Sequence, residues 1–265
     1  MRTLTYRYAM QLEFEQPVRR HSFQLRCLPC ERAGQHIVSE SFRLSPDVPV
    51  SSGKDGFGNR LLYGIVEEPH SRFSFETSGI AEMTVSSLSD NPLNAAKYLI
   101  QTPFTCPGRA LHALNNRIQR DDPGPVFLEL MHIVHSEIAY KPSSTCPSTT
   151  AEQAALQGCG VCQDHAQILL SLLRMHQIPC RYVSGLLIGE GSTHAWVEAF
   201  FQGAWIGLDP THDMVVQDTH IVTSVGRDHS DCEINRGIMF GRGKQHQAVK
   251  VTVSESAEQE EFGCR

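Results

Sequence analysis

The chain has 265 residues, of which 40% are hydrophobic and 20% are charged, and its formal net charge is −6. This size and balance are typical of one large or two modest globular domains, and they exclude a globally disordered chain. The negative charge disfavours a nucleic-acid-binding protein, because phosphate contacts need a basic surface. No apolar stretch approaches the roughly 18 residues that identify a membrane helix, so we expect no membrane span.

The first residues predict a β-strand and not an export signal. Hydrophobic and polar residues alternate from Leu4 to Phe14, which is typical of a half-buried strand. A signal peptide has instead a continuous apolar segment and a small-residue cleavage site. The nine cysteines are an odd number, which favours free thiols in a reducing compartment. We therefore expect a cytoplasmic protein.

Residues 1–88 have the pattern of a β-rich domain. Alternating hydrophobic residues continue in the stretch 37–42, and the glycine-rich segment 55–60 is typical of a turn. Segments 61–66 and 73–77 follow as further predicted strands. No catalytic constellation stands out in this region, so we interpret it as a β-sandwich-like domain.

Residues 89–265 have a mixed helical and strand pattern that begins after proline-bearing breaks. Hydrophobic residues at three- and four-residue spacing predict the helices. The predicted helices are 110–118, 126–138, 148–156 and 162–177, and the predicted strands that follow are 182–188, 194–201 and 205–209. The acidic end of the chain, from residue 255, is interpreted as a polar tail.

Cys162 is the candidate nucleophile because it follows a glycine-rich turn and opens the strongest predicted helix. A helix N-terminus presents unpaired N–H groups and a partial positive charge, which stabilise a thiolate. The same N–H groups can hold the oxyanion of a tetrahedral intermediate. Such a thiolate also needs an acid/base histidine, which a carboxylate commonly orients.

His194 and Asp209 can supply that pair if residues 202 and 203 form a two-residue turn between their strands. Position i then faces position 405 − i, so Asp209 faces Trp196. This register places His194 and Asp209 on the same face of the sheet as diagonal neighbours, within reach of a hydrogen bond. A register shifted by two residues would place them directly opposite each other, and either pairing lets Asp209 orient the imidazole. The sequence thus predicts a Cys162–His194–Asp209 triad.

Four segments that carry these residues resemble a known family. GVCQDHA, RYVSG, THAWVEAF and LDPTHD are similar to motifs of the bacterial transglutaminase-like superfamily, whose fold is a papain-like cysteine-catalysis core. Its nucleophilic cysteine, its H-A-W histidine and its D-P-T aspartate match Cys162, His194 and Asp209.

The resemblance extends over nearly the whole chain. DGFGNRLLYGIVEEPHSRFSF is similar to the N-terminal β domain of bacterial members, and VGRDHSD with RGIMFGRGKQ is similar to the segment after the core. It implies an α+β protein: a nucleophile helix packed on an antiparallel sheet in residues 89–265, preceded by the β domain in residues 1–88. It also implies a thioester acyl-enzyme, no cofactor and no metal.

The acyl acceptor decides which reaction such a protein catalyses. Water gives a cysteine peptidase or amidase, and an amine gives a transglutaminase. Crosslinking animal-type members place a tryptophan upstream of the nucleophile, whereas Trp196 and Trp205 both lie downstream of Cys162, and no acidic calcium loop is present. We therefore expect hydrolysis of a protein or peptide substrate. Amine transfer and a non-catalytic protein-binding module remain the alternatives.

Several residues near the predicted triad have open roles. Gln157 and Tyr140 are candidates for the second oxyanion donor, beside the backbone N–H of Cys162. His165 lies one helical turn after Cys162 and competes with His194 as the base. Trp196 is either a core residue or a wall that shields the imidazole from water.

Other motifs have a structural and a functional interpretation. Cys159 forms a C-x-x-C motif with Cys162. Three interpretations are open: a redox-active pair, a reversible disulfide that protects Cys162, and a turn in which the Cys159 thiol has no function. Cys27 and Cys30 have zinc-knuckle spacing but no independent second pair of ligands, so we expect two free thiols. We interpret the pair His132 and His135 as helix surface, Asp164 as a first-turn carboxylate, and His212 and Asp213 as loop residues after the last strand.

Overall fold

The computed structural model of the protein describes residues 1–85, 88–118 and 125–256. Within them no helix has the length and apolar character needed to cross a bilayer. The predicted polar tail lies outside the described residues except for its first two, and Glu255 is the last residue of a strand.

Helices and strands follow one another in a mixed order. The strands are β1 (Arg2–Leu25), β2 (Gln35–Ser45), β3 (Ser51–Lys54), β4 (Arg60–Val66), β5 (His70–Met83), β6 (Leu88–Ser89), β7 (Ala139–Tyr140), β8 (Cys159–Gly160), β9 (Cys180–Leu187), β10 (Gly189–Gly191), β11 (His194–Phe201), β12 (Ala204–Asp209), β13 (Met214–Val215), β14 (His220–Gly226), β15 (Asn235–Phe240) and β16 (Gln245–Glu255). The helices are α1 (Pro92–Ala95), α2 (Arg109–Asn115), α3 (Val126–Glu137), α4 (Ala151–Gln157) and α5 (Cys162–Met175), with 3₁₀ turns at Ala96–Leu99 and His229–Cys232.

The long strand β1 organises the first sheet. Its first part pairs antiparallel with β5 and β16, and its last residues pair with β4 and β15. The predicted alternation is confirmed, because the hydrophobic residues from Leu4 to Phe14 are buried and those between them are mostly exposed. Residues from both parts of β1 share one core, and the rings of Phe23 and Phe73 lie 5.0 Å apart.

The C-terminal strands belong to this first sheet. Strand β16 pairs with β1 from Leu4 to Phe14, and β15 pairs with β1 from Arg19 to Leu25. The predicted domain boundary at residue 88 assigns β15 and β16 to the second domain. In the structure both strands pair instead with β1 of the first sheet. The buried Val251 and Val253 complete the core beside β1, a pairing that local periodicity does not reveal.

The second sheet and the helices form the other half of the protein. Strands β13, β12, β11, β9 and β14 lie in that order, and β6 pairs with β12. Helix α5 packs against β11 and is surrounded by α2, α3 and α4. This α+β arrangement of a central helix on an antiparallel sheet confirms the predicted fold class.

The two halves are joined along β14. The side-chain amide of Gln35 accepts from the N–H of Val222 and donates to its carbonyl, at 2.7 and 2.9 Å. The amide of Asn59 makes the same pair of bonds with Val225, both at 2.7 Å. These side chains satisfy the backbone of an edge strand, which would otherwise be left unpaired where it is buried.

Replacement of a buried residue in β16 tests whether this strand is an integral part of the first sheet. We expect Val253→Asp to lower the free energy of unfolding by about 3 kcal/mol or more, because it buries an unpaired carboxylate. The adjacent Ser254 is exposed, so Ser254→Asp should change stability by no more than about 0.5 kcal/mol. Urea unfolding of both variants measures the difference, and equal, small effects would contradict the assigned pairing.

Candidate active site

Helix α5 begins at Cys162, and Asp164 fixes its first turn. The Oδ2 atom of Asp164 accepts from the N–H of Val161 at 2.8 Å and from the hydroxyl of Thr145 at 2.6 Å. A Cβ atom at Gly160 would lie 2.5 Å from the Cβ of Asp164, so only glycine leaves room for this contact. The predicted first-turn carboxylate is confirmed, and it also ties the 141–149 loop to the nucleophile.

Cys162 is partly exposed, and its Sγ lies 4.0 Å from the carbonyl oxygen of Thr193. The N–H groups of Asp164 and His165 both donate to the Val161 carbonyl. Cys162 is the first residue of the helix, so its own N–H has no intrahelical acceptor. This is the position expected for an oxyanion donor.

The hairpin β11–β12 has the predicted register. Val197 faces Leu208 and Phe201 faces Ala204, each pair summing to 405. Gln202 and Gly203 both have positive φ, at 49° and 83°, as a tight type I′ hairpin requires. The consequence is the predicted contact: His194 Nε2 lies 2.8 Å from Asp209 Oδ2.

Asp209 is fully buried and binds two more histidines than the sequence predicted. The Nδ1 atom of His212 lies 2.8 Å from Oδ2, and the Nε2 atom of His220 lies 3.3 Å from the same oxygen. The other oxygen, Oδ1, accepts from the N–H groups of Thr211 and His212. The interpretation of His212 as a loop residue is correct for the backbone, but its side chain belongs to this cluster. His220 lies at the start of β14, and no local motif indicated its role.

The ionisation of the pair follows from these contacts. Burial lowers the pKa of His194, but hydrogen bonding to Asp209 and to Cys162 outweighs burial and raises the pKa to about 9. Burial raises the pKa of Asp209, yet hydrogen bonds from His194 and His220 hold it well below its usual range. At neutral pH the pair is therefore an imidazolium and a carboxylate.

The aromatic neighbours enclose this pair on one side. Trp196 is fully buried, and its ring stacks on the His194 imidazole with centroids 6.1 Å apart. A Cβ atom at Gly185 would lie 2.4 Å from the Trp196 ring, so the glycine provides the space for the indole. Trp196 is thus both a core residue and the wall of the imidazole.

His165 and Tyr140 lie close together beside Cys162. Their rings are 6.1 Å apart, and the charge of Cys162 contributes, after burial, to a raised pKa of Tyr140. Burial lowers the pKa of His165 to about 4, so His165 is neutral at pH 7. Among the described residues neither ring nitrogen of His165 has a hydrogen-bond partner, whereas His194 bonds Asp209 at 2.8 Å.

Gln157 and Cys159 lie in the segment that leads from α4 to α5. Gln157 is exposed at the last residue of α4. Cys159 precedes Cys162 along an extended backbone, and at roughly 3.3 Å per residue their Cα atoms lie about 10 Å apart. A disulfide needs a Cα separation of roughly 4.4–6.8 Å, so the geometry disfavours a Cys159–Cys162 bridge.

The other predicted motifs lie in structural positions. Cys27 is buried in the first core, and the thiol of Cys30 donates to the Thr223 carbonyl at 3.0 Å. His132 and His135 hold the loop after β12 through Asp213 and Thr211.

Among the described residues, one set of side chains comes close enough to hold a metal ion: His194, Asp209 and His220, with ligand atoms within 4.8 Å. Those atoms already satisfy one another by hydrogen bonds.

Replacing Asp209 should reverse the ionisation of His194. In Asp209→Asn the charge that holds His194 protonated is lost while burial remains. We therefore expect the pKa of His194 to fall from about 9 to near its ordinary value of 6.5 or below. NMR titration of the imidazole measures this change, and an unchanged pKa would contradict the assigned pairing.

The same pair should make stability depend on pH. The folded pKa of His194 is raised, so its contribution is complete below pH 6.5 and is lost as the pH rises through about 9. The folded pKa of Asp209 is lowered, so its contribution is lost as the pH falls below about 4. The difference in unfolding free energy between wild type and Asp209→Asn should be largest between these limits and shrink toward pH 9.

Comparison with known proteins adds family evidence to this geometry. Residues 4–82 match the bacterial transglutaminase-like N-terminal region. Residues 112–210, which include Cys162, His194 and Asp209, match the transglutaminase-like superfamily.

Similar proteins cover most of the chain. An uncharacterized protein of Mycobacterium leprae is 27% identical over 92% of this chain and 95% of its own length. An uncharacterized protein of Mycobacterium tuberculosis is 28% identical over 83% of this chain and 81% of its own length. A crystal structure from Cytophaga hutchinsonii, named "Putative Cysteine Protease", superposes with a TM-score of 0.80 at 19% identity, covering 96% of this chain and 90% of that one. The fold and both family matches agree: this chain belongs to the transglutaminase-like superfamily and carries its bacterial N-terminal region.

Proposed function

We propose that the protein catalyses thiol-dependent acyl transfer, with Cys162 as nucleophile, His194 as acid and base, and Asp209 as the orienting carboxylate. The observation that carries the proposal is the buried His194–Asp209 pair at 2.8 Å, next to a cysteine that opens a helix. An imidazolium stabilised in this way favours the thiolate form of a neighbouring cysteine. A protein or peptide is the proposed substrate.

The mechanism follows from the hydrogen-bond partners. Because the Asp209 carboxylate accepts, Nε2 of His194 donates, which leaves Nδ1 for Cys162 and the substrate. The thiolate attacks the amide carbonyl, and the Cys162 N–H stabilises the oxyanion. Nδ1–H then protonates the leaving amine as the C–N bond breaks, and a thioester remains.

The second half restores the resting state. The neutral Nδ1 takes a proton from water, the resulting hydroxide adds to the thioester, and the C–S bond breaks. A carboxylic acid leaves, and the thiolate–imidazolium pair forms again. If an amine replaces water, the product is a new amide and the protein is a transglutaminase.

Hydrolysis is the outcome that we favour. Both tryptophans of the chain lie downstream of Cys162, which supports a site unlike that of the crosslinking enzymes. The structural neighbour from Cytophaga hutchinsonii is named after a protease activity, which supports the same choice.

We also propose a reducing compartment such as the cytoplasm, because the eight described cysteines are free thiols.

Alkylation of Cys162 by iodoacetamide tests the activated thiolate. We expect Cys162 to react faster at pH 6.5 than an ordinary thiol, whose pKa of about 8.5 leaves it protonated there. The reaction should slow by at least about tenfold in His194→Ala, because the imidazolium is lost. Mass spectrometry of the modified peptides measures the rate at each cysteine. Circular dichroism establishes that the variant is folded.

Cys146 serves as the internal control for this experiment. It is exposed, and hydrogen bonds from Ser148 and Thr149 lower the pKa of its thiol to about 7. It should therefore react readily in both proteins, with no dependence on His194. A Cys162 rate that equals the rates of ordinary thiols and ignores His194 would favour the non-catalytic binding module.

Product analysis separates hydrolysis from amine transfer. A mixture of unfolded protein substrates is incubated with the enzyme and a fluorescent alkylamine, and Cys162→Ser is the matched control. We expect new peptide termini or deamidated glutamines that depend on Cys162 and form without labelled amine in the products. Incorporation of the amine in preference to water would instead establish a transglutaminase.

A further inference from the structure

The buried cluster at Asp209 contains one histidine that the triad does not require. We propose that His220 is a positioning residue, whose Nε2–H anchors the Asp209 carboxylate and thereby orients His194. This inference rests on the proposed function and extends it to a residue on the far edge strand of the sheet. His220 does not touch the reacting atoms, so its action passes through Asp209.

The position of His220 is unexpected for a partner of Asp209. Asp209 ends β12, and His220 begins β14, which lies three places away in the sheet order. The Nε2 atom of His220 and the Oδ2 atom of Asp209 are nevertheless 3.3 Å apart. This contact therefore joins two strands that are not neighbours in the sheet.

The hydrogen-bond pattern assigns the proton on His220. The Asp209 carboxylate is ionised and can only accept, so Nε2 of His220 donates. Burial lowers the pKa of His220, so the ring is neutral and its Nδ1 is an acceptor. The hydroxyl of Thr219, 3.0 Å from Nδ1, therefore donates. Thr219 thus fixes the tautomer that His220 needs to anchor the carboxylate.

His220 and His212 differ in what they can contribute. The His220 side chain is completely buried, whereas the His212 side chain is 47% exposed. A hydrogen bond from a half-exposed imidazole competes with water, and the bond from a buried one does not. The rings of Trp196 and His220, 5.1 Å apart and nearly perpendicular, further restrict the position of His220.

The ionisable groups around the pair are few and come from separate elements. His194 faces Asp209 and Cys162, and Asp209 faces His212 and His220.

His165 on α5 lies within electrostatic reach of the pair, and His135 on α3 acts on His165. A pH profile of the site reports on this set, and each His220 variant below changes one member only.

Two roles for His220 make opposite predictions. If His220 positions the carboxylate, its loss lets Asp209 turn away from His194, so the pKa of His194 falls below about 9. If His220 only withdraws charge from Asp209, its loss leaves a stronger base, and the pKa of His194 rises. The direction of the shift therefore decides between them.

A matched pair of amide variants isolates the hydrogen bond. In His220→Gln the amide NH₂ can reach the position of Nε2, whereas in His220→Asn it ends near the position of Nδ1. We expect His220→Asn to lower the pKa of His194 and to slow Cys162 alkylation at pH 6.5 by about tenfold. His220→Gln should restore both to within about threefold of wild type, which a merely structural role would not produce.

Two further variants complete the experiment. His21→Asn removes another buried imidazole, which contacts His70 in the first sheet, and it should leave the pKa of His194 and the alkylation rate unchanged. If His220→Asn does not fold, His220→Leu is compared with His220→Gln in the same way. NMR titration and mass spectrometry supply both readouts.

The outcomes separate this proposal from the one on which it rests. An ordinary rate for Cys162 in the wild type would overturn the proposed function and, with it, the role of His220. An activated Cys162 in the wild type, with a pKa of His194 that is unchanged or raised in His220→Asn, would overturn the positioning role alone. A lowered pKa that glutamine does not restore would also overturn it.

Discussion

The buried carboxylate of Asp209 is the group on which the candidate site depends. An ionised carboxylate without partners is very costly in a protein interior, and Asp209 is fully buried. Two backbone N–H groups and three imidazoles satisfy it. The same bonds hold His194 protonated, because the interaction with Asp209 outweighs the desolvation of the imidazole. The ionisation that the proposed chemistry needs is therefore a consequence of how this charge is accommodated.

The N-terminal sheet contacts β14, the strand that carries His220 of the Asp209 cluster. Gln35 and Asn59 hydrogen-bond the backbone of β14, and the N–H of Cys30 donates to the Val222 carbonyl. Strand β14 also begins with His220, so the region that places this imidazole is covered by the first sheet. The N-terminal region thus has a structural relation to the site, independent of any role in recruiting a substrate.

The sequence predicted local geometry better than long-range pairing. The turn at Gln202 and Gly203 was sufficient for the register of β11 and β12, because side-chain direction in a strand alternates with period two. The pairing of β16 with β1 joins residues about 230 to 250 positions apart, and alternation alone does not choose a partner strand. His220 was missed for the same reason: it contacts Asp209 from β14, a strand that is not a neighbour of β12 in the sheet.

The nucleophile and the histidine pair are positioned by separate means. Cys162 is held by the first turn of α5, where Asp164 binds both Val161 and Thr145. His194 and Asp209 are held by the sheet, and α5 packs against β11. A change at Gly160 would therefore disturb Cys162 without altering the His194–Asp209 hydrogen bond. The nucleophile and the histidine pair are thus held by different elements, and the reactivity of Cys162 depends on both, because the imidazolium of His194 stabilises its thiolate.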